Sequence, residues 1–410
     1  MELVLRGCKR CLYNSSHPLG LIIDDEGICS GCRIHEEKDS IDWGERWREL
    51  LEVVKPYRLH SGNNYDCIVP VTGANDSYFI VHVVKNLLGL NPLLVTYNKY
   101  FNTPLGIWNL SNLRIKFNVD IIIQNVNPVS VKQITKTTLR EMGSMYWPCI
   151  AGQTVFPVQT SVNYRIPLVI WGAHQGLEQV GMFSHLHNVE MTRRYRADHD
   201  LMGYEADDLL SNFDTLTESD IWQYRYPEQD QLRSVGTRGI YLGNYIRWDP
   251  KAQHEFTVQE FGYRTASFVR TFEKYDHVDC YNYLDIHDLL KSYKHGYSKV
   301  TDVVCREIRH GRLNRSAGKY LINQYESRAP VYGRLFCDWL DIDTLSLQFV
   351  LDQFRNPNMW DQISLGHWAR KESSFEDREE SQETNLDFTV NSSLSQGDLD
   401  SYITVGKGFP

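Results

Sequence analysis

"IVPVTGANDSYF" runs from Ile68 to Phe79 and decides how the rest of the chain is read. Four residues, Ile68 to Val71, three of them apolar and one proline, lead into Thr72-Gly73-Ala74-Asn75-Asp76-Ser77, and a new apolar pattern follows. That order is a strand, a turn of small residues and a helix start. Such a corner can aim several backbone N–H groups at an anion, helped by the helix dipole. Gly73 permits close approach or a positive φ. Ser77 can cap the helix or meet a phosphate oxygen, and Asp76 can orient the loop or hold Mg²⁺. There is no Gly-Lys-Ser/Thr, so this is not the Walker pattern. On these residues alone, phosphate binding and a plain tight turn remain equal readings.

Outward from the corner, strands and helices alternate. YDCIVPV, PLLVTYN, DIIIQNV and IPLVIWG read as strands. SYFIVHVVKNLLG, IWNLSNLRIKFN and PVSVKQITKTTLREMG read as the helices between them. Short, nearly continuous apolar strands separated by helices predict a parallel α/β sheet covered on both faces. Such a sheet binds ligands at the carboxyl ends of its strands. Trp43, Trp47, Leu50, Leu51 and Val54 repeat at helical spacing and predict an amphipathic helix before the first strand. After Arg193 the pattern loosens. Thr217 and Asp220 resemble a capping box, GIYLGNYIRWD reads as a strand, and the remaining segments read mostly as helix.

The termini differ from this body. Cys8, Cys11, Cys29 and Cys32 form CKRC and CSGC, with seventeen residues between the pairs. Two CxxC turns at this spacing predict a closed, structural zinc site of four thiolates. The other five cysteines are scattered, and an odd total of nine with an expected cytoplasmic setting disfavours a disulfide framework. At the other end, nine acidic and two basic residues fall between Lys371 and Asp400, so that stretch reads as a solvated tail. The 410 residues therefore divide into a zinc knuckle (1–40), an α/β domain (41–200), a mixed, mostly helical region (201–365) and an acidic tail (366–410).

Composition is that of a soluble globular protein, with 42% apolar and 23% charged residues. No apolar run approaches the roughly 18 residues of a membrane helix, and no secretory h-region is present, so the expected location is the cytoplasm. A net charge of −9 argues against a nucleic-acid partner.

TGANDS resembles a drifted form of the SGGxDS loop of the N-type ATP pyrophosphatases, or PP-loop proteins. The four cysteines, then IDWGERW, YDCIVPV, IPLVIWG, LGNYIRWDP, HDLLKSYKHGYSKVTD and REIRHGRLNRSAG, are similar in order to the bacterial N-acetyl sugar amidotransferases of lipopolysaccharide O-antigen and pseudaminic- or legionaminic-acid pathways. The resemblance implies a doubly wound PP-loop sheet of the adenine nucleotide α-hydrolase type. It implies ATP and Mg²⁺, with an acetamido group converted to an acetamidino group through an adenylylated imidate. Thr72, Gly73, Ala74, Asn75, Asp76 and Ser77 take the ATP-loop positions, Thr72 in place of a Ser and Ala74 in place of a Gly. At the end of IPLVIWG the family shows WGEN and then Glu-Tyr-Gly-Gly. Here Gly172 is kept, Ala173 and His174 replace Glu and Asn, and Glu178 and Gly181 keep the later positions. Glu178 becomes the candidate for positioning ammonia or accepting a proton, beside Asp76. Arg193 and Arg194 match a basic pair that would face the sugar's diphosphate or carboxylate, with Lys294 and Lys299 in the same cleft. Cys149 is either a buried structural thiol or a nucleophile, and His174, His185 and His187 read as core or surface histidines rather than a second metal site. The resemblance further implies a nucleotide-linked N-acetyl sugar, a partner glutaminase and a cyclase-like subunit as ammonia source. Loss of a loop glycine and of the Glu-Asn pair leaves a non-catalytic scaffold as the alternative, and a PP-loop tRNA-modifying enzyme as a further one.

Overall fold

The computed structural model describes residues 5–59, 62–74 and 76–371. Five parallel strands form the central sheet: β1 (Cys67–Pro70), β2 (Pro92–Tyr97), β3 (Asp120–Gln124), β4 (Leu168–Trp171) and β5 (Arg238–Tyr241), in the order β3-β2-β1-β4-β5. The register sets Ile68 beside both Leu93 and Val169. Strand order reverses at β1, the switch point at which doubly wound sheets open a crevice.

Side-chain alternation divides the core into two layers. Cys67 and Val69 point to one face, with Leu94, Leu168, Ile170 and Ile240. That face is covered by α2 (Trp43–Val54), α3 (Ser77–Val81) and α4 (Pro104–Phe117) through Leu50, Val54, Tyr78, Leu110 and Leu113. Ile68, Leu93, Val95 and Val169 point to the other face. It is covered by α6 (Trp147–Tyr164), to which α5 (Pro128–Met142) packs. α6 is the longest helix described and went unread in the sequence because Pro148, Gly152 and Pro157 look like breakers. Pro148 sits in the first turn, where no N–H is missed. A Cβ on Gly152 would lie 2.2 Å from the Tyr97 ring, so the glycine is what lets α6 settle onto β2.

Beyond the sheet, helices Ile286–His295, Lys299–Arg309, Arg315–Glu326, Gly333–Leu340 and Thr344–Asp352 build the carboxyl-terminal body. A hairpin of β6 (Trp360–Ser364) and β7 (His367–Arg370) closes it. β5 joins the main sheet from beyond residue 200. β7 lies beyond residue 365 yet packs with the body, with Arg370 paired to Glu326 at 3.0 Å. The rest of the expected acidic tail, 372–410, lies outside the described residues. No described helix is long and apolar enough to cross a membrane.

Candidate functional site

The amino-terminal chain crosses to the sheet's carboxyl ends through a sulfur cluster. The sulfurs of Cys8, Cys11, Cys29 and Cys32 are buried and all lie within 4.8 Å of one another. Among the described residues this is the one cluster of His, Cys, Asp or Glu close enough to share an ion. Backbone N–H groups of Arg10 and Cys29 donate to Cys8 Sγ at 3.4 and 3.3 Å, and Arg309 Nη2 lies 3.6 Å from Cys29 Sγ. Donors aimed at sulfur favour thiolates, so the set fits a closed metal site.

This knuckle docks directly on the segment that carries Glu178. Ser30 Oγ donates to Val180 O at 2.6 Å. Cβ atoms on Gly31 and Gly181 would fall 2.5 Å from Gln179 O and 2.4 Å from Ser30 O, so only glycines allow the two backbones to meet. Lys38, 1% exposed at the end of α1 (Ser30–Glu37), donates to Glu178 Oε2 at 2.5 Å and to Trp248 O at 3.2 Å.

A cleft of about 290 Å³ lies where these parts converge. The turn after β1 contributes Asp76, the segment after β4 contributes Gln175 and Glu178, and the segment after β5 contributes Trp248. The opposite wall holds Glu273, Asp276, His277, Tyr283, Lys299, Asp302, Arg306 and Arg309, and the knuckle adds Tyr13 and His35. Charge alternates across this wall. Arg306 Nη1 pairs with Asp276 at 3.1 Å, and Lys299 Nζ lies 3.6 Å from Asp302. Burial alone would raise the Asp276 carboxyl, but Arg306 and His254 outweigh it and hold it below the usual range. His254 and Arg306 also act on Asp76 and Glu273, but there burial outweighs them. Burial, with Asp276 nearby, pushes Asp76 up to about 6 and Glu273 up to about 7. The site therefore mixes ionised and readily protonated carboxyls beside fixed cations, as proton-transfer chemistry requires.

The loop itself is folded inward. Thr72 N donates to Ser77 Oγ at 3.1 Å, and Ala74 N to Thr72 Oγ1 at 3.3 Å. Ala74 and Ser77 are buried. Gly73 has φ +83° and packs on α4, where a Cβ would meet Gly106 O at 2.7 Å. Of the described loop residues only Asp76 lines the cleft. Asn75 lies outside the described residues. Gly172 packs against Ile80 and Trp248 behind the cleft.

Among the four proposed sugar-binding residues, only Lys299 reaches the cleft. Arg193 forks onto Glu205, with contacts of 2.6–3.1 Å. Arg194 is 92% exposed beside Asp198. Lys294 donates to the carbonyls of Met142 and Gly143 at the end of α5. Sequence order could not show that these cations have partners of their own. Cys149 is buried, with its thiol on Lys99 O and its pKa raised by burial. His174 is buried and accepts from Gly176 N at 3.0 Å, and His185 is 1% exposed. The reading missed Lys38, His254, Glu273, Asp276 and Arg306. REIRHGRLNRSAG contains Arg306 and Arg309, so that motif was the available signal.

A parallel sheet with a strand–turn–helix corner at its switch point, a cleft over the strand ends and an amino-terminal cysteine knuckle defines a doubly wound α/β protein. More particularly, residues 257–373 match the family described as "LPS biosynthesis protein WbpG-like, C-terminal domain", and most of the wall opposite Asp76 lies in that segment. The chain is 26% identical over 119 residues to the uncharacterized protein MJ1599 of Methanocaldococcus jannaschii, a match covering 29% of this chain and 42% of that protein. Two solved structures are similar in part. An NH3-dependent NAD synthetase from Campylobacter jejuni has 13% identity and a TM-score of 0.28, over 48% of this chain and 95% of that one. An NMN synthetase from Francisella tularensis has 12% identity and a TM-score of 0.27, over 48% and 85%. Likeness of that size carries no argument about activity.

Proposed function

We propose that the protein is an ATP-dependent amidotransferase that converts the acetamido group of a nucleotide-linked N-acetyl sugar to an acetamidino group in bacterial surface-polysaccharide synthesis. The observation that carries this reading is the meeting of two segments in one cleft: Asp76 of the corner after β1 shares it with Glu273, Asp276, Lys299, Arg306 and Arg309 of the WbpG-like segment. In the reaction, the amide oxygen attacks the α-phosphorus of ATP and pyrophosphate leaves. Ammonia then adds to the imidate carbon, and AMP departs with the former amide oxygen.

Lys299, Arg306 and Arg309 supply fixed positive charge for the phosphates as negative charge builds on the leaving group. Mg²⁺, held on the Asp76 side, would neutralise part of the triphosphate. Among the described residues the buried Glu178 Oε1 has no hydrogen-bond partner, while Oε2 is fixed by Lys38. That free oxygen orients ammonia and receives the proton lost as the new C–N bond forms. Cys8, Cys11, Cys29 and Cys32 would hold a structural zinc ion, and the knuckle so closed would keep Lys38 in register with the Glu178 segment. A partner glutaminase with a cyclase-like subunit supplies ammonia.

The inward-bonded loop supports a second reading, a binding subunit that kept the fold without catalysis. Incubation with ATP, Mg²⁺, ammonium and a panel of nucleotide-activated acetamido sugars separates the two. AMP together with a sugar in which NH replaces O supports the enzyme. Retention of sugar or partner without AMP supports the binding subunit.

A further inference from the structure

His254 stands between the two walls and lines neither. It lies on the helix Pro250–Phe261, is 1% exposed, and among the described residues neither ring nitrogen has a hydrogen-bond partner. Its Nε2 is 3.8 Å from Asp76 Oδ1 and 3.6 Å from Asp276 Oδ1. The ring lies parallel to Tyr275, with centroids 5.7 Å apart at 4°, and close to parallel with Tyr263 at 6.1 Å and 22°. The two tyrosines fix the imidazole plane, and the plane aims Nε2 at the carboxylates.

An imidazole buried with both nitrogens unmet is costly and needs a reason. Here the reason is geometric. Both separations exceed the reach of an N–H···O bond, about 2.7–3.2 Å, by a margin that a small closure of the cleft removes. Asp276 already has Arg306 as partner. On the side of Asp76, the nearest such contact described is the His254 ring.

We propose that His254 is the positioning residue for Asp76, its Nε2 shared between the loop carboxylate and Asp276 so that the nucleotide corner and the WbpG-like wall are held in register. Its kinetic consequence rests on the ATP-dependent reading above; its structural consequence does not.

Two measurements test it. The first uses full-length protein with nitrogen-15 histidine, the His254 ring signal being identified by its loss in His254→Gln. Asp76→Asn and Asp276→Asn are each expected to shift that signal. An unchanged signal in Asp76→Asn overturns the proposal, whether or not the protein turns over ATP. The second compares AMP formation in two replacements. His254→Phe keeps the ring between the tyrosines but has no nitrogen, and should lower kcat about a hundredfold, the effect of misplacing a reacting group by about 1 Å. His254→Gln returns an N–H near the Nε2 position and should recover much of that loss. Equal activity of His254→Phe and wild type overturns the proposal, as does a Gln variant no better than a folded Phe variant. Wild-type protein that forms no AMP but shows the expected shifts refutes the enzymatic reading alone.

Discussion

Replacing Lys38 tests whether the knuckle governs the cleft. Its ammonium is 1% exposed and holds Glu178 Oε2 and Trp248 O. Lys38→Met keeps the length of the side chain and removes the charge, leaving a carboxylate without its counterion. Removing one partner of a buried pair costs about 3–5 kcal/mol. Glu178 keeps 17% exposure through the cleft, so water can partly take the place of the lysine, and the lower end, about 3 kcal/mol, applies. Glu178→Gln strands the ammonium in turn, at a similar cost. The double variant Lys38→Met/Glu178→Gln removes both charges and should fall well short of the sum, giving a coupling of at least about 2 kcal/mol. Urea unfolding followed by tryptophan fluorescence and circular dichroism measures all four corners of the cycle. If the single costs add within about 0.5 kcal/mol, the pair is not coupled and the link from knuckle to cleft fails.

Metal analysis should return about one zinc per chain, and chelation should expose the thiols of Cys8, Cys11, Cys29 and Cys32; unchanged thiol reactivity after chelation would reject the site. Gly73 and Gly203 share φ +83°, but only Gly73 has a neighbour within 4 Å of an added Cβ. Gly203→Ala should therefore cost only about 1–2 kcal/mol of backbone strain, and Gly73→Ala clearly more, read as a lower urea midpoint. Burial lowers the pKa of His174 from 6.5 to about 4, so the unfolded chain takes up its proton first and stability is lost as pH falls from 6.5 to about 4. His174→Asn keeps a cap acceptor and should remove at most about 3 kcal/mol of that dependence; an unaltered slope of unfolding free energy against pH would contradict the assignment.

The sequence was most informative where period and spacing carry the physics. The near-continuous apolar runs of β1, β2 and β4 read as buried parallel strands, which they are, and β3 takes the half-exposed edge; the two CxxC turns do converge. Thr217 and Asp220 form the reciprocal cap expected of them. It was least informative where partners come from distant elements. Arg193 lies on Glu205, the exposed Arg194 beside Asp198, and Lys294 on two helix-end carbonyls, contacts that sequence order does not show. Lys38 sits in an ordinary charged stretch, and nothing local says that its ammonium is buried against Glu178, 140 residues away. His254 shows no pattern at all, because its meaning arises from two carboxylates on two other segments. α6 was hidden by Pro148, which costs no hydrogen bond in the first turn, and by Pro157, which the helix carries in its interior.

The central claim is that the cleft primes an amide oxygen with an adenylyl group before nitrogen attacks. The direct measurement supplies the N-acetyl sugar with heavy oxygen in its acetyl carbonyl, together with ATP, Mg²⁺ and ammonium, and weighs the AMP released. The account predicts that the heavy oxygen leaves the sugar and appears in the phosphate of AMP, and that Asp76→Ala abolishes this transfer while the protein stays folded. AMP formed with unlabelled phosphate, or label retained in the sugar while ATP is consumed, would contradict it.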